Sequence, residues 1–164
     1  MKYKLTNETK IVDGVTVYRI QATKDFGDVK KDDLGGFVEK EANLSQIGDA
    51  WIYNDAVVYG NAKVFWFARV RDNAKVIDEA KVYGHALVAN NAKISENASV
   101  ADHAEVKDDA YIHGHALVVG HAEVIDNAEL GEYAVAFGYA HVQADVALGG
   151  RVELYGTVSV DKEL

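Results

Sequence analysis

Hydrophobic and polar residues follow a strict six-residue period over most of the chain. From Asp49 onward the sequence divides into nineteen hexads without an insertion. The second position is alanine in sixteen hexads and valine in the last three, and the fourth is Ile, Val or Leu except at Ala136. An α-helix cannot keep this repeat on one face, because its period is 3.6 residues. A strand can, so the pattern predicts short strands whose second and fourth positions point inward.

The first and sixth hexad positions predict corners between these strands. They are rich in Gly, Asn, Asp and His, which tolerate tight turns and left-handed backbone geometry. One class of corner, a pair of Asp or Asn residues, recurs every 18 residues at Asn54-Asp55, Asp72-Asn73, Asn90-Asn91, Asp108-Asp109 and Asp126-Asn127. Three hexads therefore form one triangular coil. The predicted fold class is all-β, a single-stranded parallel β-helix with 18 residues per coil.

Residues 1–48 depart from the hexad rule. Residues 9–12, the dipeptide Asp13-Gly14 and residues 15–20 predict a β-hairpin with a two-residue turn. The open end of a solenoid exposes an unpaired strand, so a terminal cap is expected. We assign residues 1–48 to an N-terminal β cap with an irregular first coil around residues 34–44, and residues 49–164 to a β-solenoid of about six coils. The alternative for the cap is a ligand-binding role.

The three faces of the predicted prism differ in polarity. We number them by their first complete hexads, which start at Asp49, Asp55 and Asn61. The second face carries a polar set, Lys75, Lys93, Ser95, Tyr111, His113, Glu129 and Gly131. The third face and its corner instead carry apolar outward residues, and monomeric proteins rarely expose such a strip. The strip predicts an interface formed by Phe65, Tyr83, Leu117, Val119, Val135, Phe137 and Tyr155, with Trp66 and Phe67 at the corner. The alternative is a ladder that only stabilises neighbouring strands.

Three histidines, His85, His103 and His121, are spaced 18 residues apart and are expected to stack on one corner at ~4.8 Å intervals. His115 has the same hexad position on another corner. Asn, Asp, Glu and Tyr also occupy this position, so a corner role explains histidine without chemistry. If the protein is an enzyme, His103, His121 and His115 are the candidate general bases, which would need a shaped pocket with oxyanion donors.

We expect no metal and no cofactor. The chain has no cysteine, and parallel imidazoles on successive coils converge poorly on a zinc ion with bonds of ~2.1 Å. Corner aspartates could attract Ca²⁺, but they also suit turns and alternate with asparagine. The net charge of −9 argues against direct nucleic-acid binding. Neither a signal peptide nor a membrane span is predicted, so the expected location is cytoplasmic.

Two features resemble known families. An aliphatic residue followed four positions later by a small one, as in Val82 and Ala86, resembles the hexapeptide repeat of left-handed β-helix proteins, many of which are trimeric acyltransferases. The resemblance implies a left-handed helix, although the spacing itself leaves the handedness open. The N-terminal part resembles the opening of the YdcK-like bacterial proteins and of short prophage-borne hexapeptide proteins, through residues 24–30, 34–38, 43–46, 48–49 and 51–53. This resemblance runs through the whole chain and implies the fold more than the function.

The predicted function is a non-enzymatic β-solenoid scaffold that self-associates as a dimer or trimer and binds a protein partner. The expected location is a bacterial cytoplasm, or the cytoplasm of the host if, as the prophage resemblance implies, the protein is phage-encoded. One alternative is a trimeric acyltransferase-like enzyme, for which the family resemblance implies a histidine base between subunits. Another is an acidic phage decoy that blocks a nucleic-acid-binding or defence protein of the host.

Overall fold

The computed structural model describes residues 1–161, and within them the chain is a parallel β-solenoid of short strands. These 161 residues contain a single 3-10 turn, Glu41–Asn43, and no helix long and apolar enough to cross a membrane. Strands 18 residues apart pair in register, as Lys81 does with Ser99 and Val82 with Val100. The all-β class and the 18-residue coil predicted from the sequence are therefore confirmed.

Each face of the prism is one sheet. The first face contains β5 (Trp51–Ile52), β8 (Arg69–Val70), β11 (Leu87–Val88), β14 (Glu105–Val106), β17 (Glu123–Val124), β20 (His141–Val142) and β23 (Ser159–Val160). The second contains β1 (Tyr3–Val12), β2 (Val15–Ala22), β3 (Leu34–Val38), β6 (Val57–Val58), β9 (Lys75–Val76), β12 (Lys93–Ile94), β15 (Tyr111–Ile112), β18 (Glu129–Leu130) and β21 (Ala147–Leu148). The third contains β4 (Leu44–Gly48), β7 (Lys63–Trp66), β10 (Lys81–Val82), β13 (Ser99–Val100), β16 (Leu117–Val118), β19 (Val135–Ala136) and β22 (Glu153–Leu154).

The core is formed by the second and fourth hexad positions, as the pattern predicts. Ala104, Ala122, Val106 and Val118 are all fully buried, and the same alternation runs through successive coils. Alanine at the second position lies beside a corner, where the triangular cross-section is narrow. The larger aliphatic residue at the fourth position fills the space between the three sheets.

The corners turn at the sixth hexad position. Every sixth-position residue from Asn54 to Gly156 has a positive φ, whereas the first-position residues of these hexads do not. Position six therefore carries Gly, Asn and Asp because these residues tolerate left-handed backbone, and the first position is free to hold histidine or an aromatic residue. The sequence analysis did not separate these two roles.

Carboxylates at the corners also accept hydrogen bonds from backbone N–H groups of the next coil. The Asp72 carboxylate accepts a hydrogen bond from the N–H of Asn90 at 3.1 Å, and Asp126 accepts one from the N–H of Ala144 at 3.0 Å. Asp78 does the same for the N–H of Glu96 at 3.0 Å. The recurring acidic corner therefore has a structural explanation that needs no cation.

The N-terminal hairpin forms where the sequence predicts it. Its turn residues, Asp13 and Gly14, have φ values of 50° and 80°, as a two-residue hairpin turn requires. β2 pairs antiparallel with β3, and β3 continues in parallel to β6. Because β3 and β4 join the second and third sheets, residues 34–48 add an irregular coil, and the solenoid has about seven turns.

The turn of the hairpin bends over the outer side of the second face. Val17 and Phe37 pack there against Tyr59 and Ile77. The second face, which the sequence analysis described by its polar residues, therefore also carries a buried apolar cluster. Ser95, a member of the polar set of this face, is also buried, with 2% of its surface exposed.

Candidate interaction surface and histidine ladder

The predicted apolar strip lies on the outer side of the third face, at the fifth hexad position of each coil. Phe65 stacks on Tyr83 with ring centroids 4.9 Å apart, and Phe137 meets Tyr155 edge-on at 5.2 Å. Val119 is half-buried between these two aromatic pairs. We call Phe65, Tyr83, Val119, Phe137 and Tyr155 the apolar column; Leu117 and Val135 lie half-buried beside it.

The apolar column varies in exposure along its length. Phe137 is 42% exposed and Tyr155 is more so, whereas Phe65 and Tyr83 shield each other partly from solvent. Ala101 occupies the same hexad position between Tyr83 and Val119 and is buried. The column is therefore two apolar segments separated by one small residue.

Trp66 and Phe67 lie at the corner beside the first segment. The Trp66 indole is 55% exposed and meets Phe65 and Tyr83 edge-on at 5.3 and 5.6 Å. Its φ is 61°, a conformation that is an outlier for a bulky residue. Phe67 is also exposed and begins the ring stack of the adjoining edge.

Ile47 is a surface residue that the sequence analysis missed. It is 82% exposed and, with Phe65 and Trp66, lines an apolar depression of about 480 Å³. Extending the hexad register back by one repeat, to residues 43–48, places Ile47 at the fifth position of the third face, directly before Phe65. The sequence of residues 43–48 contains this signal, although alanine is missing from its second position, which is Leu44.

The predicted stack of histidines forms on the corner between the third and first faces. His85, His103 and His121 lie with parallel rings at spacings of 5.0 and 4.9 Å. Phe67 covers the ring of His85 at 4.7 Å, and Tyr139 covers His121 at 4.9 Å. We call these five rings the histidine ladder. Both faces of each imidazole are covered by a neighbouring ring, so only the ring edges remain available.

The structure does not bring the three candidate general bases together. His103 and His121 are neighbours in the histidine ladder, whereas His115 stacks on Tyr133 at 5.0 Å on a different corner. His113 precedes His115 by two residues but lies on the second face, where its Nε2 is 2.6 Å from a carboxylate oxygen of Glu129.

A polar network on the second face was also missed from the sequence. Ser95 donates its hydroxyl to the Tyr111 hydroxyl at 3.0 Å, and the Tyr111 ring stacks on His113 at 4.4 Å. Gly131 makes room for this histidine, because a Cβ there would lie 2.4 Å from the His113 ring. Since Ser95 is buried and already bonded to Tyr111, the network acts as packing between coils rather than as an exposed nucleophile.

Metal-ligating residues do not cluster in the described part of the chain. Within residues 1–161, no group of three or more His, Cys, Asp or Glu side chains is arranged to hold an ion. The corner carboxylates instead bond to backbone N–H groups of the next coil.

The fold and this surface define the class of protein as a capped β-solenoid with an exposed apolar face. A scan against models of protein families found no match for the chain. A search of curated proteins found no similar sequence either. The resemblance to YdcK-like and prophage-borne hexapeptide proteins therefore stays a prediction.

Proposed function

We propose that the protein is a non-enzymatic β-solenoid scaffold that associates with a second copy of itself through the third face. The single observation that carries this proposal is the apolar column, with Trp66, Phe67 and Ile47 exposed at its N-terminal end. Aromatic anchors of this kind dominate the binding energy of protein interfaces. The association creates a rigid platform on which a further protein partner can bind.

The backbone at Trp66 supports an interaction role for the corner. A bulky residue in left-handed backbone costs about 1–2 kcal/mol relative to the right-handed form. Glycine, Asn or Asp fill the equivalent position in most other coils. Strain of this kind is concentrated at functional sites. At Trp66 the strained backbone holds the indole against Phe65 and Tyr83, with more than half of the surface of the residue in solvent.

Charge supports a second copy as the occupant. The third face carries Lys63 and Lys81 near its N-terminal end and Glu153 near its C-terminal end. When two copies meet face to face in antiparallel orientation, the basic end of each approaches the acidic end of the other. Such an arrangement is self-complementary, as a two-fold interface requires.

Two alternatives rest on fewer observations. The acyltransferase-like alternative is supported by the family resemblance, but the imidazole faces of His103 and His121 are covered by neighbouring rings. The decoy alternative is supported by the net charge of −9 and by the prophage resemblance. Several of the acids that repeat along the corners are already engaged by backbone N–H groups.

The proposal is tested by placing charges in the apolar column. Val119→Asp with Phe137→Asp should leave circular dichroism unchanged, because both side chains point away from the core. It should convert the associated protein to monomer in sedimentation velocity, since unpaired charges are costly in a desolvated contact.

The matched control is Ile125→Asp with Gln143→Asp. These residues occupy the same hexad position on the adjoining first face, so the same two charges are added outside the column. The control should sediment like the wild type. Wild-type protein that is monomeric at every concentration, or equal dissociation of both double variants, would overturn self-association through the third face.

A further inference from the structure

The loop between β2 and β3 builds a groove on the first face. Within this loop Phe26 and Val29 form an isolated β-bridge, and Val29 is buried. The Phe26 ring packs edge-on against Trp51, with centroids 5.3 Å apart. The loop therefore covers the first strand of this face and ends in a step beside the next strand, β8.

The step is one wall of a cavity of about 350 Å³. Gly27 and Asp28 of the loop form this wall, Arg69 and Arg71 lie beside it, and the rings of Phe67 and His85 border the corner side. We call this cavity the arginine groove. Its volume lies in the range of pockets that hold small organic ligands.

The two arginines of the groove form few ion pairs with carboxylates of the protein. Within residues 1–161, no carboxylate oxygen lies within 4.0 Å of the Arg69 guanidinium, and Arg71 reaches only its exposed neighbour Asp72, at 3.6 Å. Arg19, by contrast, contacts both Glu8 and Asp55. The arginine groove thus holds two guanidinium groups with donors available for a ligand.

Three carboxylates, those of Asp28, Asp49 and Glu105, border the groove, and two of them are already engaged by neighbouring groups. Asp28 accepts a hydrogen bond from the Tyr53 hydroxyl at 2.8 Å, and Glu105 pairs with the ammonium of Lys107 at 2.8 Å. Their remaining repulsion of an anion is weaker than that of unpaired acids. Asp49, the third carboxylate, acts on the charge of the buried Lys2 ammonium group, and Arg69 and Arg71 are the groups of the groove that attract an anion.

We propose that the arginine groove binds a small organic phosphate. Arg69 lies in β8 and Arg71 directly follows this strand. Both lie on the outer side of the first face, roughly 6–7 Å apart, so both guanidinium groups can reach one phosphate. Their planar forks match phosphate oxygens in paired hydrogen bonds. The phosphate dianion pairs with the two guanidinium groups, and the organic part lies against the ring edges of Phe67 and His85.

Phenyl phosphate is the probe of this proposal, titrated into the full-length protein by calorimetry and by NMR. We expect saturable binding, with shifts in the ring signals of Phe67 and His85. Arg69→Gln with Arg71→Gln should weaken binding by at least tenfold. Both arginines are exposed, so the variant should keep the wild-type circular dichroism spectrum.

The matched control is Lys63→Gln with Lys81→Gln, which removes two charges from exposed residues of the third face. It should bind phenyl phosphate like the wild type. Inorganic phosphate should bind more weakly than phenyl phosphate because it lacks the ring. Benzoate should also bind more weakly, because it carries only one negative charge. The proposal is overturned if phenyl phosphate shows no saturable binding, if the lysine control loses as much affinity as the arginine variant, or if either simpler anion binds as tightly.

Discussion

At the scale of single residues, the sixth hexad position shows how the corner selects its side chain. Asn and Asp recur there because they tolerate a positive φ and, as at Asp72 and Asp126, can accept an N–H from the next coil. Ala144 has a φ of 63° but lacks such a side chain. It is therefore a position where the natural residue is not the most stable one.

Ala144→Gly should stabilise the protein by about 0.5–1 kcal/mol. The left-handed backbone costs an L-residue about 1–2 kcal/mol, and the extra freedom of glycine in the unfolded chain offsets part of this gain. Urea unfolding measures the difference. The control is Ala140→Gly at a fully buried second position, which should destabilise by roughly 1 kcal/mol or more. A loss of stability in Ala144→Gly would contradict the strain assigned to this corner.

Ala104→Leu tests the packing of the narrow part of the core. Ala104 is fully buried at the second hexad position, and three added carbon atoms have no space there. Overpacking should lower the free energy of unfolding by roughly 1–3 kcal/mol. Unchanged thermal unfolding of this variant would contradict the inward placement of the second position.

At the scale of elements, Asp13 fastens the hairpin turn to the second face. Its carboxylate accepts a hydrogen bond from the Tyr59 hydroxyl at 2.6 Å and pairs with Lys75 at 3.2 Å. The Tyr59 hydrogen bond, followed by the contact with Lys75, holds the pKa of Asp13 below its ordinary value. The stabilisation is therefore present above the unfolded pKa of about 3.9 and is lost as the pH falls through the lower folded pKa.

The hairpin turn should accordingly loosen in acid before the coils unfold. NMR signals of the Tyr59 ring, followed from neutral pH to below pH 3, should shift as Asp13 becomes protonated. In Asp13→Asn this shift should be absent, while distant signals such as those of Val142 behave as in the wild type. A Tyr59 response that is identical in both proteins would show that Asp13 does not control the turn.

Lys2 ties the start of the hairpin to the first coil. Its Nζ donates to the backbone carbonyls of Gly48 and Ala50 at 2.9 and 2.8 Å. Burial lowers the pKa of this ammonium group to about 8, and the charge of Asp49 opposes the shift only in part. A neutral amine still has two N–H groups, so it can keep both hydrogen bonds.

This lowered pKa makes stability depend on alkaline pH. Between pH 8 and about 10 the unfolded chain keeps the Lys2 proton and the folded chain loses it, so the free energy of unfolding should rise with pH. Above about pH 10 it should fall, because burial raises the pKa of Tyr3 and Tyr53, which then ionise first in the unfolded chain. Urea unfolding of Lys2→Met should lack the rise. A flat wild-type profile from pH 8 to 10 would contradict the assignment.

At the scale of the whole molecule, the repeat made the fold predictable. The alternation of inward and outward residues within each hexad fits a strand and excludes an α-helix. The pairs of corner residues that recur every 18 residues define the length of the coil. The turn dipeptide Asp13-Gly14 between two strand-like segments predicted the hairpin. The stacking of His85, His103 and His121 followed from their spacing, which places them on successive coils of one corner.

Contacts that join segments outside the repeat could not be predicted in this way. Nothing local indicates that the hairpin turn bends over Tyr59, or that Phe26 packs on Trp51 and so creates the arginine groove. Both contacts depend on the direction in which the chain returns after the cap, and no period in the sequence encodes that direction. The exposed position of Ile47 could have been predicted, because the hexad register extends one repeat further toward the N-terminus.

The central claim, association through the third face, is tested most directly by thiol protection. The chain has no cysteine, so Val119→Cys and Ile125→Cys each introduce one thiol at the same hexad position of adjoining faces. The measurement is the rate of labelling by a charged thiol reagent across a range of protein concentrations. We predict that labelling of Val119→Cys slows as concentration rises, while labelling of Ile125→Cys stays constant. Concentration-independent labelling of both variants would contradict the claim.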